Sequence, residues 1–178
     1  MRCEWAKSEQ MIDYHDKEWG KPVHDDTKLF EMLTLEGAQA GLSWETILKR
    51  RTTYRKAFNN FNVKVISNYK EKDKKRLLND PGIIRNRLKI KSTINNAKAF
   101  IKIQKEFGSF DKYIWQFKKQ TKNKVKSHKD IQATTKESDA MSKDLKKRNF
   151  SFVGSTICYA FMQAVGIVND HEVGCFVY

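Results

Sequence analysis

The chain has few of the residues that mark secreted, membrane-spanning or disulfide-stapled proteins. Its 178 residues include only three cysteines, two prolines and eight glycines. No apolar run approaches the roughly 20 residues that span a bilayer, and the N-terminus lacks the charged and apolar segments of a secretory signal. Three cysteines without such a signal favour a reducing cytoplasm over a disulfide framework.

Acidic residues are scarce relative to basic ones. There are 21 Asp and Glu against 35 Lys and Arg, which gives a formal net charge of +14. This excess favours an anionic partner, most simply nucleic acid. The lysines are spread along the chain, so a generally basic, solvated surface is the alternative. No segment combines basic and apolar faces, which disfavours binding to a membrane surface.

Strand-like alternation is also absent, and the apolar residues recur mostly at helical spacing, which predicts an all-α fold. We expect one domain over 1–178. The expected helix-capping residues are Asp25 or Asp26, Ser43, Asn62 and Ser138. Further helices are expected at 71–79, from about 86 through 101, at 110–117 and at 156–165. The polar, basic segment 118–137 is expected to be a surface excursion.

Four residues of the types that bind metal lie at the two ends of the chain, namely Cys3, His15, His171 and Cys175. Zinc favours thiolate and imidazole ligands in a tetrahedral set of four, and a shared ion would clasp the two termini together. The spacings do not match a zinc finger. Ordinary histidines with inert thiols therefore stay open as an alternative, as does a disulfide between the terminal cysteines.

Glu36 is an unusual residue because it falls on an apolar helix face, three residues after Leu33 and seven after Leu29. Burying a carboxylate is costly unless it is paired or has a function. Small residues follow it up to Gly41, and they permit close approach by a ligand or another backbone. The alternative is a structural Glu36 that bonds to local backbone or to an arginine.

Four aromatic residues gather in the first quarter of the chain, namely Trp5, Tyr14, Trp19 and Trp44. Flat side chains beside a carboxylate suit a nucleobase that has been extracted from its helix, since they stack on its faces while the carboxylate contacts its edge. Each aromatic taken alone is more simply part of the core.

A tight turn is predicted between two helices in the region 77–90, where the sequence reads NDPGIIR from Asn79 to Arg85. Backbone N–H groups at such a turn, with a helix N-terminus behind them, can bind a DNA phosphate. Basic residues near the turn add attraction that does not depend on sequence: Lys74, Lys75, Arg76, Arg85, Arg87 and Lys89. An ordinary helix–helix turn is the alternative.

Taken together, four segments resemble the DNA-3-methyladenine glycosylase I family. They are YHDKEWG at 14–20, LEGAQAGLSW at 35–44, FVGSTICY at 152–159 and VNDH at 168–171. The resemblance runs from Cys3 to Cys175. It implies an all-α helix-hairpin-helix glycosylase fold with a zinc clasp that joins the N- and C-terminal segments.

The resemblance also implies roles for individual residues. The four terminal ligands would hold a structural zinc ion, and Glu36 would contact a flipped base. The aromatic walls would be Tyr14 and Trp44, with Trp5 and Trp19 lining the same region. The wedge that enters the duplex would be Gly41 and Leu42, and the residues at the DNA backbone would be Gly82 and Arg85. The chain departs from the family pattern at Met11 and at Ile83-Ile84.

The function so implied is a monofunctional N-glycosylase that flips out 3-methyladenine from alkylated double-stranded DNA and removes it by hydrolysis, leaving an abasic site. We expect it to act as a monomer in the cytoplasm, associated with the nucleoid through DNA. Two alternatives belong to other classes. A zinc-stapled DNA-binding domain without enzymatic activity would not need Glu36, and a zinc hydrolase would need an open position on the metal.

Overall fold

The computed structural model describes residues 1–118 and 124–178 and is all-helical over these ranges. The helices are α1 (Glu9–Lys17), α2 (Asp26–Gln39), α3 (Trp44–Ala57), α4 (Val63–Ser67), α5 (Glu71–Asn79), α6 (Arg87–Phe107), α7 (Phe110–Ile114), α8 (Lys136–Lys147) and α9 (Ser155–Ala164). Short 3-10 turns cover Asn59–Phe61, Trp115–Phe117 and His128–Asp130. No helix in the described ranges is long and apolar enough to cross a membrane.

Most helices begin where the sequence predicts them because the capping residues act as expected. The side chains of Asp25, Ser43 and Asn62 each accept a hydrogen bond from a backbone N–H in the first turn of α2, α3 and α4. Asn86 does the same for α6. That helix ends at Gly108, whose φ of 87° suits a residue without a Cβ.

Two helix starts differ from the prediction. The sequence analysis did not predict α1, whose N-cap Ser8 makes no side-chain capping bond and which buries only Tyr14 and His15. Ser138 does not cap α8. Thr135 caps that helix and accepts from the Ser138 N–H, while the Ser138 hydroxyl oxygen accepts from the Thr135 N–H at 2.8 Å, which completes a capping box.

The core is built around α2, which packs against α3, α6 and α9. Leu29, Phe30 and Leu35 on α2 are fully buried. As predicted, α9 is largely buried, with residues such as Phe161 and Met162 at 0% exposure. Because α2 is enclosed on several sides, a polar residue near its end can face only an internal surface or a cavity.

The predicted surface excursion at 118–137 is only partly an excursion. Residues 119–123 lie outside the described ranges. Beyond them Val125 is buried, and its carbonyl accepts a 2.7 Å hydrogen bond from the N–H of Val173. This contact fastens the excursion to the C-terminal segment beside α9.

Candidate functional site

A cavity of about 330 Å³ opens between α1, α2, the start of α3, α9 and the 3-10 turn at His128–Asp130. Its lining contains Glu36 and all four predicted aromatics. The full set is Trp5, Met11, Tyr14, Trp19, Glu36, Gln39, Trp44, His128, Ile131, Ala160 and Gln163. The sequence prediction that these aromatics and Glu36 share one region is therefore met.

Glu36 lies at the start of the last turn of α2 with 4% of its surface exposed. In the described ranges no hydrogen bond or ion pair to its carboxylate is found, and the nearby buried arginine, Arg51, is bonded to Glu18 and Glu31 instead. Burial without a partner raises the pKa of Glu36 to about 8. The structure thus gives no support to a Glu36 held by an arginine or by local backbone.

The aromatic rings form a connected wall around the cavity. The ring centroids of Tyr14 and Trp44 are 5.4 Å apart at an interplanar angle of 55°, and Trp5 meets Trp19 edge-on at 4.9 Å. Burial and then the charge of Glu36 raise the pKa of Tyr14 well above its usual value, so its hydroxyl is neutral. The wall is therefore apolar and flat, with Glu36 as its one acidic group.

Gly41 and Leu42 lie in the turn between α2 and α3, at the edge of this region. Gly41 has a φ of 78°, and Leu42 is 40% exposed although it is large and apolar. Hydrogen bonds from α6 hold this turn in place, because the Lys89 ammonium donates to the carbonyls of Ala38 and Ala40 at 2.7 and 2.6 Å. Lys89 was predicted to attract phosphate, and the structure instead uses it to cap the C-terminus of α2.

The predicted hairpin between α5 and α6 is present, but its N–H groups are largely used within the protein. The Gly82 N–H donates to the Asp80 carboxylate at 2.8 Å, and the Ile84 N–H donates to the Tyr54 hydroxyl at 3.1 Å. A Cβ on Gly82 would lie 2.9 Å from the Cβ of Thr53, so this glycine serves packing against α3. Arg85 is exposed at the hairpin surface.

The two ends of the chain meet, as a shared metal site requires. The ligand atoms of Cys3, His15 and Cys175 all lie within 4.8 Å of one another, and all three residues are buried. The Cys175 Sγ is 3.5 Å from the His15 Nε2. The Nδ1 of His15 is 2.7 Å from Asp16 Oδ1, so its Nε2 is the nitrogen that faces the sulfurs. Both cysteines are free, without a disulfide between them.

His171 lies beside this trio with its ring centroid 5.0 Å from that of His15. Its Nδ1 is 2.7 Å from Asn169 Oδ1, while its Nε2 is buried and has no hydrogen-bond partner in the described ranges. Burial, and then the neighbouring His15, lower the pKa of His171 to about 4, which keeps the imidazole neutral. Two cysteine sulfurs and two histidine imidazoles are ligand types that zinc favours.

Sequence reasoning missed Gln163 and the segment around His128 as parts of the cavity. Gln163 was not predicted as a site residue because α9 has the sequence of an apolar, buried helix. A polar residue in such a helix could nevertheless have indicated a functional position. His128 lies 24 residues before the nearest segment that carries the resemblance, the one at 152–159, and only the packing of the excursion brings it to the cavity.

An all-helical, basic domain with a carboxylate buried among aromatic rings suits an enzyme that acts on a base drawn out of nucleic acid. Residues 5–178 match the model of the methyladenine glycosylase family, and the chain belongs to this family. It is 47% identical over 180 residues to the DNA-3-methyladenine glycosylase 1 of Escherichia coli K12, covering 99% of this chain and 96% of that one.

Solved structures agree with this assignment. A crystal structure of 3-methyladenine DNA glycosylase I superposes with a TM-score of 0.96 at 48% identity and full coverage of both chains. A tyrosine-to-phenylalanine variant of such an enzyme, in complex with 3-methyladenine, superposes with a TM-score of 0.94 at 31% identity, covering 98% of this chain and 96% of that chain.

Proposed function

We propose that this protein is a monofunctional DNA N-glycosylase that excises 3-methyladenine from alkylated DNA and leaves an abasic site. One observation of the structure carries the proposal: the carboxylate of Glu36, unpaired in the described ranges, lines a cavity walled by aromatic rings. The relatives of this chain are DNA-3-methyladenine glycosylases. A DNA-binding domain without enzymatic activity gives no reason to keep a costly carboxylate there.

The base chemistry explains why a single carboxylate is enough. Methylation at N3 places a positive charge on adenine and weakens its bond to the sugar, so the purine leaves as a neutral molecule and needs no strong general acid. The C1′–N9 bond breaks with its electron pair passing to the purine. A water oxygen then bonds to C1′ and loses a proton to solvent.

Glu36 has two tasks in this reaction. A cationic purine beside it supplies the missing counter-charge, so its pKa of about 8 falls and the carboxylate ionises. The ionised group favours the cationic base over neutral adenine. It also stabilises the positive charge that develops on the sugar as the bond breaks.

The surrounding residues bind the base and the DNA. Tyr14 and Trp44 stack on the flipped base, with Trp5 and Trp19 behind them, which offsets the few kcal/mol that flipping costs. The exposed turn of Gly41 and Leu42 fills the gap left in the duplex. The hairpin around Gly82 and Arg85 is proposed to lie at the DNA backbone, where Arg85 is the charged contact and Gly82 keeps the turn packed against α3.

The four terminal ligands are proposed to hold one structural Zn²⁺. Cys3, His15, His171 and Cys175 would complete a tetrahedral set with no open position, so the ion would hold the termini together and take no part in hydrolysis. Metal analysis should find about one zinc per chain, and chelation should lower the melting temperature. Metal-free protein with unchanged stability and activity would rule this out.

The remaining proposals concern assembly and location. The chain is proposed to act as a single domain over 1–178, as a monomer on double-stranded DNA, in the cytoplasm and at the nucleoid. The net charge of +14 supports binding to undamaged duplex that weakens steeply with salt. An affinity independent of salt would contradict this part.

The test of the function is release of free base. Duplex DNA treated with a methylating agent is incubated with the protein, and the released bases are separated by chromatography. We expect 3-methyladenine to appear and the DNA to carry alkali-labile abasic sites without strand cleavage by the enzyme itself. Failure of the purified, folded protein to release 3-methyladenine would refute the proposal.

A further inference from the structure

Gln163 on α9 lines the same cavity as Glu36 but has a different environment. Its amide nitrogen Nε2 donates to the Asp170 Oδ2 at 2.8 Å. That same oxygen accepts a 2.6 Å hydrogen bond from the Tyr159 hydroxyl. Asp170 is 1% exposed, so the carboxylate is a fixed, enclosed acceptor beneath the cavity wall.

This contact decides which end of the Gln163 amide faces the cavity. A carboxylate oxygen accepts hydrogen bonds, so the amide group must turn its nitrogen towards Asp170 and its carbonyl oxygen away. In the described ranges no hydrogen bond to the Gln163 Oε1 is found, and the Gln163 side chain lines the cavity. The cavity therefore has a neutral acceptor of fixed orientation in addition to the acidic Glu36.

We propose that Gln163, oriented by Asp170, is a specificity-determining residue that accepts a hydrogen bond from the exocyclic amino group at C6 of an adenine-type base. A guanine-type base has a carbonyl at C6, and two acceptors would then face each other without a proton between them. Sites built to bond a substrate N–H reject analogues that lack it. The inference rests on the proposed function and adds the choice between 3-methyladenine and 3-methylguanine.

The neighbouring cavity glutamine offers a matched control. Gln39 at the end of α2 also lines the cavity, but no carboxylate is hydrogen-bonded to its side chain in the described ranges. Methionine has nearly the same length as glutamine and no strong acceptor. Gln163→Met removes the oriented acceptor, while Gln39→Met changes the cavity polarity without touching the contact to Asp170.

The experiment measures two lesions in one substrate. Wild type, Gln163→Met and Gln39→Met are compared for the rates at which they release 3-methyladenine and 3-methylguanine from the same methylated duplex. Calorimetric titration with the two free bases serves as a second readout, which holds even where 3-methylguanine is released too slowly to follow. Melting temperatures show that each variant is folded.

We expect Gln163→Met to lose about tenfold in 3-methyladenine release and affinity, as loss of one hydrogen bond predicts, while 3-methylguanine is unaffected or improved. Gln39→Met should leave the ratio of the two bases unchanged. If Gln163→Met leaves the ratio of 3-methyladenine to 3-methylguanine release unchanged, Gln163 is structural and the inference is overturned. If wild type releases no 3-methyladenine, it is the proposed function that fails.

Discussion

Helix α2 carries two buried glutamates, and their surroundings are opposite. Glu31 is 6% exposed and Glu36 is 4% exposed, so burial does not distinguish them. Glu31 accepts hydrogen bonds from Arg51 at 2.6 Å and from Arg55 at 2.8 Å. Glu36 receives none in the described ranges and faces the aromatic cavity.

The pKa values of the two carboxyl groups therefore shift in opposite directions. Burial alone would raise the pKa of Glu31, but the hydrogen bond from Arg55 and the charge of Arg51 outweigh it and hold the pKa below its usual value. At Glu36 burial acts unopposed. The comparison teaches that a buried carboxylate with partners stabilises the fold, while one without partners near a cavity destabilises it and marks a binding site.

The largest expected effect separates the two glutamates by function. Glu36→Gln should lower the rate of 3-methyladenine release by about 100- to 1000-fold, since one preorganised electrostatic contact to developing charge is lost. Affinity for the free base should fall as well, while the fold, metal content and nonspecific DNA affinity stay near wild type. Base release by chromatography and calorimetric titration measure both. Equal binding and equal rates in the variant would make Glu36 a structural residue.

Glu31→Gln should have the converse effect. Removing one partner of a buried ion pair leaves Arg51 and Arg55 with less compensation, which costs about 3 kcal/mol of unfolding free energy. Urea unfolding at neutral pH measures this loss. The folded fraction should still bind 3-methyladenine as wild type does. A loss of base affinity without a loss of stability would contradict the division of labour between the two residues.

The sequence predicts one of these glutamates better than the other. The spacing of Glu36 from Leu29 and Leu33 was enough to place it inward, because the period of α2 is local information. The partners of Glu31 come from α3, some twenty residues away, and their contact depends on how α2 and α3 pack. Lys89 was misassigned for the same reason, since its bonds to Ala38 and Ala40 span about fifty residues.

A smaller effect tests the aromatic wall opposite Glu36. Trp44→Ala should weaken binding of free 3-methyladenine by about 1–3 kcal/mol through lost stacking, and excision should fall in parallel. Trp115 provides a control, because it lies outside the cavity and its Nε1 donates to the Val23 carbonyl at 3.0 Å. Trp115→Ala should lower the melting temperature without changing base affinity per folded molecule. Unchanged base affinity in Trp44→Ala would remove Trp44 from the site.

The smallest expected effect is the change in unfolding free energy per pH unit, and it compares the two glutamates directly. Between the unfolded pKa of 4.5 and the folded pKa of about 8, Glu36 is protonated in the native state and ionised in the unfolded chain. The native state thus binds more protons, so unfolding free energy should fall as pH rises, by at most about 1.4 kcal/mol per pH unit. Glu36→Gln should remove this slope, so its stability relative to wild type should grow from pH 5 to pH 8.

Glu31→Gln should change the pH dependence of unfolding free energy in the opposite direction in the same experiment. Because the folded pKa of Glu31 is lowered, its contribution is present above the unfolded pKa of 4.5 and is lost as pH falls. The stability difference between Glu31→Gln and wild type should therefore shrink on acidification below about pH 5. Urea unfolding of the three proteins in one set of buffers cancels the titration of every shared group, including the terminal histidines. Parallel pH profiles for wild type and Glu36→Gln would show that the pKa of Glu36 is not raised by folding and that Glu36 is ionised at neutral pH. A raised pKa could then no longer explain how the site selects a cationic base.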